Sequence, residues 1–179
     1  MFRSNQRSSA GPRGFTLVEI LCVIVILGIA SAIIIPQIGS RDDLKAAAAA
    51  RLLISDLMYA QNLAISNQRS HYVQFVGQQY TLMSGSPLAA ITHPIDKDPY
   101  TMNFAANRAG LEGVNLVSID LGGGPVANGV LGFDELGTPF SYDGVTATPL
   151  TAAAQILVRS GTITLTISVE PFTGDTSVN

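Results

Sequence analysis

The chain has 179 residues, enough for one packed domain, with 13 Asp and Glu against 10 Lys and Arg and a formal net charge of -3. Three of the bases, Arg3, Arg7 and Arg13, fall in the first 14 residues with no acid among them, so the remainder is acidic and lacks the basic face of a nucleic-acid-binding domain. One cysteine, Cys22, and two histidines, His71 and His93, exclude a disulfide framework and supply no Cys/His zinc set or Cys-His catalytic pair.

Residues 1–14, basic and polar, are predicted to stay in the cytoplasm under the positive-inside bias. Residues 15–35 are apolar apart from Glu19, and 21 helical residues rise roughly 30 Å, the thickness of a bilayer core. This predicts a membrane-spanning helix with everything after it exported. A carboxylate at mid-bilayer costs on the order of 2.5 to 3.5 kcal/mol and less near the headgroups, so Glu19 needs either a wet position or a task. The apolar run is longer than the core of a secretory signal, and no A-x-A pattern follows it, so no cut is expected on its far side.

Pro36 lacks a helical donor and disfavours helix at Ile35, which predicts a helix break there. Helix signal resumes over residues 36–68, with Ser40 as N-cap, Asp42 and Asp43 in the first turn, and a strongly helical run from 44 to 66. Ala46, Ala50, Leu53, Leu57, Ala60 and Ala64 form one apolar stripe, while Arg51, Asp56, Gln61 and Asn62 are assigned to the wet side. Such a stripe suits lengthwise packing on a sheet of the same chain better than a coiled-coil seam.

Residues 69–179 read as an antiparallel β-rich globular part, with the period changing to two from Tyr72. Residues 72–76 and 80–83 read as a hairpin through Gly77-Gln78-Gln79, with Val73 and Phe75 in the core. Residues 84–113, holding Pro87, Pro94 and Pro99, read as a long connection. Further strands are predicted at 114–121, ended by Gly122-Gly123-Gly124-Pro125, and at 130–133 and 140–142 around a turn at Asp134 and Gly137. The last pair, 155–159 and 162–169, turns at Ser160-Gly161 and sets Ile163, Leu165, Ile167 and Val169 on one face. A long helix followed only by strands predicts an α+β fold with the helix packed on an antiparallel β-sheet.

The run Arg13-Gly14-Phe15-Thr16-Leu17-Val18-Glu19, followed by apolar helix, resembles the class III signal of type IV pilins and type II secretion pseudopilins. That resemblance implies a cytoplasmic leader of residues 1–14, cleavage between Gly14 and Phe15 by a prepilin peptidase, and N-methylation of Phe15. It also implies a filament in which residues 15–35 form the core and Glu19 meets the amino terminus of a neighbouring subunit, so that Glu19 sets assembly register. Residues 49–75, the late strand pair and Phe172-Thr173-Gly174 look like the H-type minor pseudopilins and FimT-like minor pilins. Gln61, where an arginine is common in such proteins, and Asp175, where a base is common, depart from that pattern.

What the resemblance implies is a minor pseudopilin of a type II secretion system. Such a subunit is single-pass in the bacterial inner membrane, with its amino terminus cytoplasmic and its carboxyl-terminal domain periplasmic, and later enters a periplasmic filament. Its partners would be the prepilin peptidase, other pilin-like subunits, the inner membrane and the assembly platform. The alternatives are a FimT-like minor pilin, active in pilus assembly or DNA uptake, and a pilin-tethered adhesin. No enzyme activity, cofactor, metal, nucleic acid or small-molecule substrate is expected. His71 and His93 are read as solvated, the glycines at 122–124 lack the Gly-Lys-Ser/Thr of a phosphate loop, and Asp134, Glu135 and Asp143 lack the twelve-residue calcium pattern.

Overall fold

In a computed structural model, residues 14–34, 41–106 and 110–179 are described. The chain divides into two units, Met1–Gly39 and Ser40–Asn179. In the first, helix α1 covers Leu17–Ile34. Its side chains are apolar on every side and, from residue 17 to 31, exposed apart from the partly covered Ala30. The Ser31 hydroxyl donates to the Leu27 carbonyl at 2.7 Å, so this polar group is satisfied within the helix.

The 18 residues of α1 rise roughly 27 Å, short of a bilayer core of about 30 Å, and among the described residues no helix is long and apolar enough to cross a membrane. The predicted 15–35 segment extends beyond α1 at both ends. Phe15 and Thr16 precede the helix, and Ile35, like the predicted break at Pro36 and the predicted cap Ser40, lies outside the described residues.

In the second unit, α2 spans Asp42–Asn67, with Asp42 and Asp43 in its first turn as predicted; Arg41 occupies the cap position without a capping side chain. The helix ends where Gln68 turns left-handed (φ 49°) and the Arg69 N–H reaches back to the Ala64 carbonyl at 3.2 Å, a Schellman-type closure. The predicted stripe is buried, joined by Ala49. Its alanines let the strands approach the helix closely. Asp56 is a correction: it was assigned to the wet side and is only 4% exposed, because two tyrosine hydroxyls satisfy its carboxylate inside.

The strands form two antiparallel sheets where a single sheet was predicted. The first is built from β1 (His71–Val76), β2 (Gln79–Ser84), β3 (Ala89–Ala90), β4 (Thr101–Asn103), β7 (Asn128–Phe133), β8 (Pro139–Tyr142) and β9 (Ala147–Pro149), in the order β3-β2-β1-β7-β8-β9 with β4 also on β2. The second is built from β5 (Val114–Asp120), β6 (Pro125–Val126), β10 (Ala154–Ser160), β11 (Ile163–Val169) and β12 (Thr176–Val178), in the order β12-β11-β10-β5-β6. The hairpin β1–β2 pairs onward with β7, leaving β5 to join β10, and this crossover is what makes two sheets. The connection predicted over 84–113 contains β3, β4 and a 3-10 turn at Phe104–Ala106, and the glycine turn after β5 is the bend of a hairpin to β6.

One core serves both sheets. Leu53 and Leu57 of α2 meet Val73, Phe75, Leu131 and Phe133 from the first sheet and Ile156, Val158, Ile167 and Val169 from the second, all essentially inaccessible. The alternation predicted for β11 appears only at its end, where Ile167 and Val169 are buried and Ser168 is not; Leu165 is half-buried and Ile163 is 39% exposed. Gln78, at the β1–β2 turn, ties the sheets together by bonding both the carbonyl (2.9 Å) and the N–H (2.8 Å) of Leu116. His71 is a second correction: it is buried, its Nδ1 3.0 Å from the Arg69 carbonyl, because it opens a strand whose odd positions face the core.

Candidate functional site

The residues singled out at the amino terminus lie together at the start of α1. Gly14, Phe15 and Thr16 precede the helix, and the first helical hydrogen bond runs from the Ile20 N–H to the Thr16 carbonyl at 3.2 Å. Thr16 is therefore the N-cap, and its Oγ1 accepts the Glu19 N–H at 3.2 Å. Thr16-Leu17-Val18-Glu19 is a T-x-x-E capping box in sequence, with the threonine half of the box formed. This role of Thr16 was missed from the sequence, although the box pattern was there to find it.

Glu19 stands in the first turn of α1, where the partial positive charge of the helix start favours a carboxylate. Its side chain is exposed and forms no ion pair or hydrogen bond with the described residues. Phe15 is 77% exposed. A methyl group built at Gly14 meets nothing within 4 Å, so no steric contact among the described residues requires glycine there.

A second polar cluster lies in the soluble unit. Tyr80 donates to one Asp56 oxygen at 2.6 Å and Tyr100 to the other at 2.8 Å, while Tyr59 stacks on Tyr100 with ring centroids 5.7 Å apart. Burial raises the Asp56 carboxyl above its usual 3.8, against the lowering effect of the two hydroxyls and of His93 nearby. Burial, and then Asp56 itself, pushes the Tyr100 hydroxyl up from its usual value. His93, partly exposed and 3.6 Å from Asp96, lines a cavity of about 80 Å³ beside this cluster. Each Asp56 oxygen accepts one tyrosine hydroxyl, so the cluster fastens the 91–103 segment to α2.

Two of the three carboxylates weighed as calcium ligands, Asp134 and Asp143, serve turns. Asp134 Oδ1 accepts the Leu136 and Thr138 N–H groups at 2.9 and 2.7 Å, and Asp143 Oδ1 accepts those of Val145 and Thr146 at 2.8 and 2.7 Å, which holds the Asp143 carboxyl below its usual range. Among the described residues no group of three or more His, Cys, Asp or Glu could hold a metal. Gln61, in the position noted as departing from the resembled pattern, donates from Nε2 to the Gly137 and Thr173 carbonyls, each at 2.9 Å, and so joins two loops from different sheets to α2.

Residues 11–35 match the family of the prokaryotic N-terminal methylation motif. No curated protein matches the chain. Two solved structures share its fold. The minor pseudopilin EpsH from the type 2 secretion system of Vibrio cholerae superposes with a TM-score of 0.50 at 12% identity, over 75% of this chain and 96% of that one. The type IV minor pilin FimU of Pseudomonas aeruginosa superposes with a TM-score of 0.51 at 16% identity, over 76% and 90%. Motif and fold together carry the resemblance to the type IV pilin and type II secretion pseudopilin superfamily through the amino terminus and the α+β body.

Proposed function

From a methylation motif at the head of an apolar helix and a pilin-like body behind it, we propose that this chain is a minor pseudopilin, a structural subunit of the periplasmic pseudopilus of a type II secretion system. It is made with a leader of residues 1–14, held in the inner membrane by residues 15–35 with its soluble unit in the periplasm, cut between Gly14 and Phe15 by the prepilin peptidase, methylated on Phe15, and drawn from the membrane by the assembly platform into a filament of pilin-like subunits. The observation that carries the reading is the motif at 11–35 joined to a pilin-like fold in one chain.

Glu19 gives the assembly step a physical basis. In a filament core it faces the amino terminus of a neighbour's Phe15, and since Phe15 and Glu19 are separated by roughly 6 Å of rise on one helix, their pairing selects an axial offset. Desolvation opposes the attraction, so the pair fixes register more than it adds stability. Mass spectrometry of the mature amino terminus tests the processing. N-methyl-Phe15 is expected, and an intact Met1 or a cut beyond Ile35 overturns the reading.

A type IV minor pilin is the second reading, favoured by the equally good superposition on FimU. Its DNA-uptake form is opposed by the tail, which has no Lys or Arg after Arg159 and carries Glu170 and Asp175. Tight, salt-sensitive binding of DNA by residues 37–179 would reverse that order.

A further inference from the structure

A peptide bond is open to a peptidase only where the chain is unwound, because in an α-helix its carbonyl is bonded to the N–H four residues on and ringed by side chains. The position at which α1 starts therefore decides whether the Gly14–Phe15 bond can be cut. The helix begins at Leu17, and one residue, Thr16, separates it from that bond. Phe15 is exposed, and nothing lies within 4 Å of a methyl group built at Gly14, so the surroundings of the bond are open.

Hydrophobicity does not set this start. Phe15 continues the apolar run upstream of Leu17, and in the sequence ahead of it Pro12 suits a first helical position, since its φ is fixed and its missing N–H would be unpaired there anyway. A helix begun at Pro12 would enclose the Gly14–Phe15 bond in its first turn. Two side chains favour the later start. Thr16 Oγ1 accepts the Glu19 N–H at 3.2 Å, a bond that needs the Thr16 backbone outside the helical region, so while it holds the helix does not run back through Thr16. Glu19, in the first turn of a helix begun at Leu17, sets its carboxylate against the partial positive charge of that same start.

We propose that Thr16 is a positioning residue for the processing cut, holding the Gly14–Phe15 bond outside α1 through the hydrogen bond it accepts from the Glu19 N–H. The inference rests on the reading of the chain as a substrate of the prepilin peptidase. Thr16 supplies none of the reacting atoms and acts on the bond only through the helix start. Loss of the cap lowers the fraction of chains in the unwound form, and a substrate whose competent form is a fraction of the whole binds more weakly by that fraction. The effect therefore belongs in KM, with kcat unchanged.

The test uses the full chain in lipid vesicles with purified prepilin peptidase, cleavage being followed by mass spectrometry and each variant first matched to wild type in resistance to alkaline extraction. Thr16→Val keeps the shape of the side chain and removes the acceptor, whereas Thr16→Asn changes the shape and keeps a capping oxygen. Thr16→Val is expected to raise KM about fivefold, the usual worth of a cap, and to leave kcat at the wild-type value. Thr16→Ser and Thr16→Asn are expected to be cut like wild type. Wild-type cutting of Thr16→Val, slow cutting of Thr16→Asn, or a loss confined to kcat overturns the positioning role and leaves the processing reading standing. A wild-type chain that the peptidase does not cut between Gly14 and Phe15 overturns both.

Discussion

The two helices bury apolar surface by different means. On α2 one stripe, from Ala46 to Ala64, disappears beneath the two sheets, and the opposite face keeps Arg51, Ser55 and Asn62 in solvent. On α1 leucine, isoleucine and valine occupy every side, and the exposures of Leu17 (81%) and Ile24 (64%) show that its own unit offers them no cover. A helix with one buried stripe is completed by its own chain, whereas one apolar all round is completed from outside, by lipid or by other helices.

Substitutions of equal chemistry on the two helices sharpen the contrast. Leu53→Ala, at a position with no exposure, should destabilise the soluble unit by about 2 to 5 kcal/mol in denaturant melts, whereas Leu21→Ala should leave that transition where it is. Equal effects would mean that α1 also belongs to the core. On the first sheet, Phe140 lies over Gly132 so closely that an added methyl would overlap its ring; Gly132→Ala should cost about 1 to 3 kcal/mol. A neutral result would show that the ring can move aside.

Gln61→Ala removes two hydrogen bonds at the edge of the same core and should cost on the order of 1 to 2 kcal/mol, with faster hydrogen exchange in the 137 and 173 loops. The smallest effect is expected at Asp56, as a slope against pH. Its folded carboxyl titrates above the usual 3.8, so in that window the native state holds more protons than the unfolded one, and this group's contribution to stability falls as pH rises through the folded value. Asp56→Asn keeps the shape and removes the titration. The difference in melting temperature between variant and wild type should shift in the variant's favour from about pH 4 to pH 7, and a constant difference would show that Asp56 does not titrate in the window.

Much of this was legible where a pattern has one physical meaning. The stripe on α2 and the late strand pair follow from spacing, whereas the motif from Arg13 to Glu19 was read through its resemblance to a known signal. Asp56 was misread because charge ordinarily marks the wet face, and its partners, Tyr80 and Tyr100, stand 24 and 44 residues away, beyond any local pattern. The second sheet was hidden for a similar reason. Strand partners are chosen by the core and not by proximity in sequence, so nothing local says that β1 pairs with β7 or that three terminal residues form β12. Edge strands of two or three residues are too short to show a period. Thr16 was within reach, since T-x-x-E ahead of an apolar run is a capping signature, but the pull of the glutamate's other role obscured it.

On the proposed function, α1 is finished by other subunits and Glu19 directs them. Glu19→Leu in the full chain tests it most directly, with membrane insertion followed by resistance to alkaline extraction and assembly followed by incorporation into sheared filaments. Insertion at the wild-type level and no incorporation are expected. Incorporation of the variant at the wild-type level would contradict it.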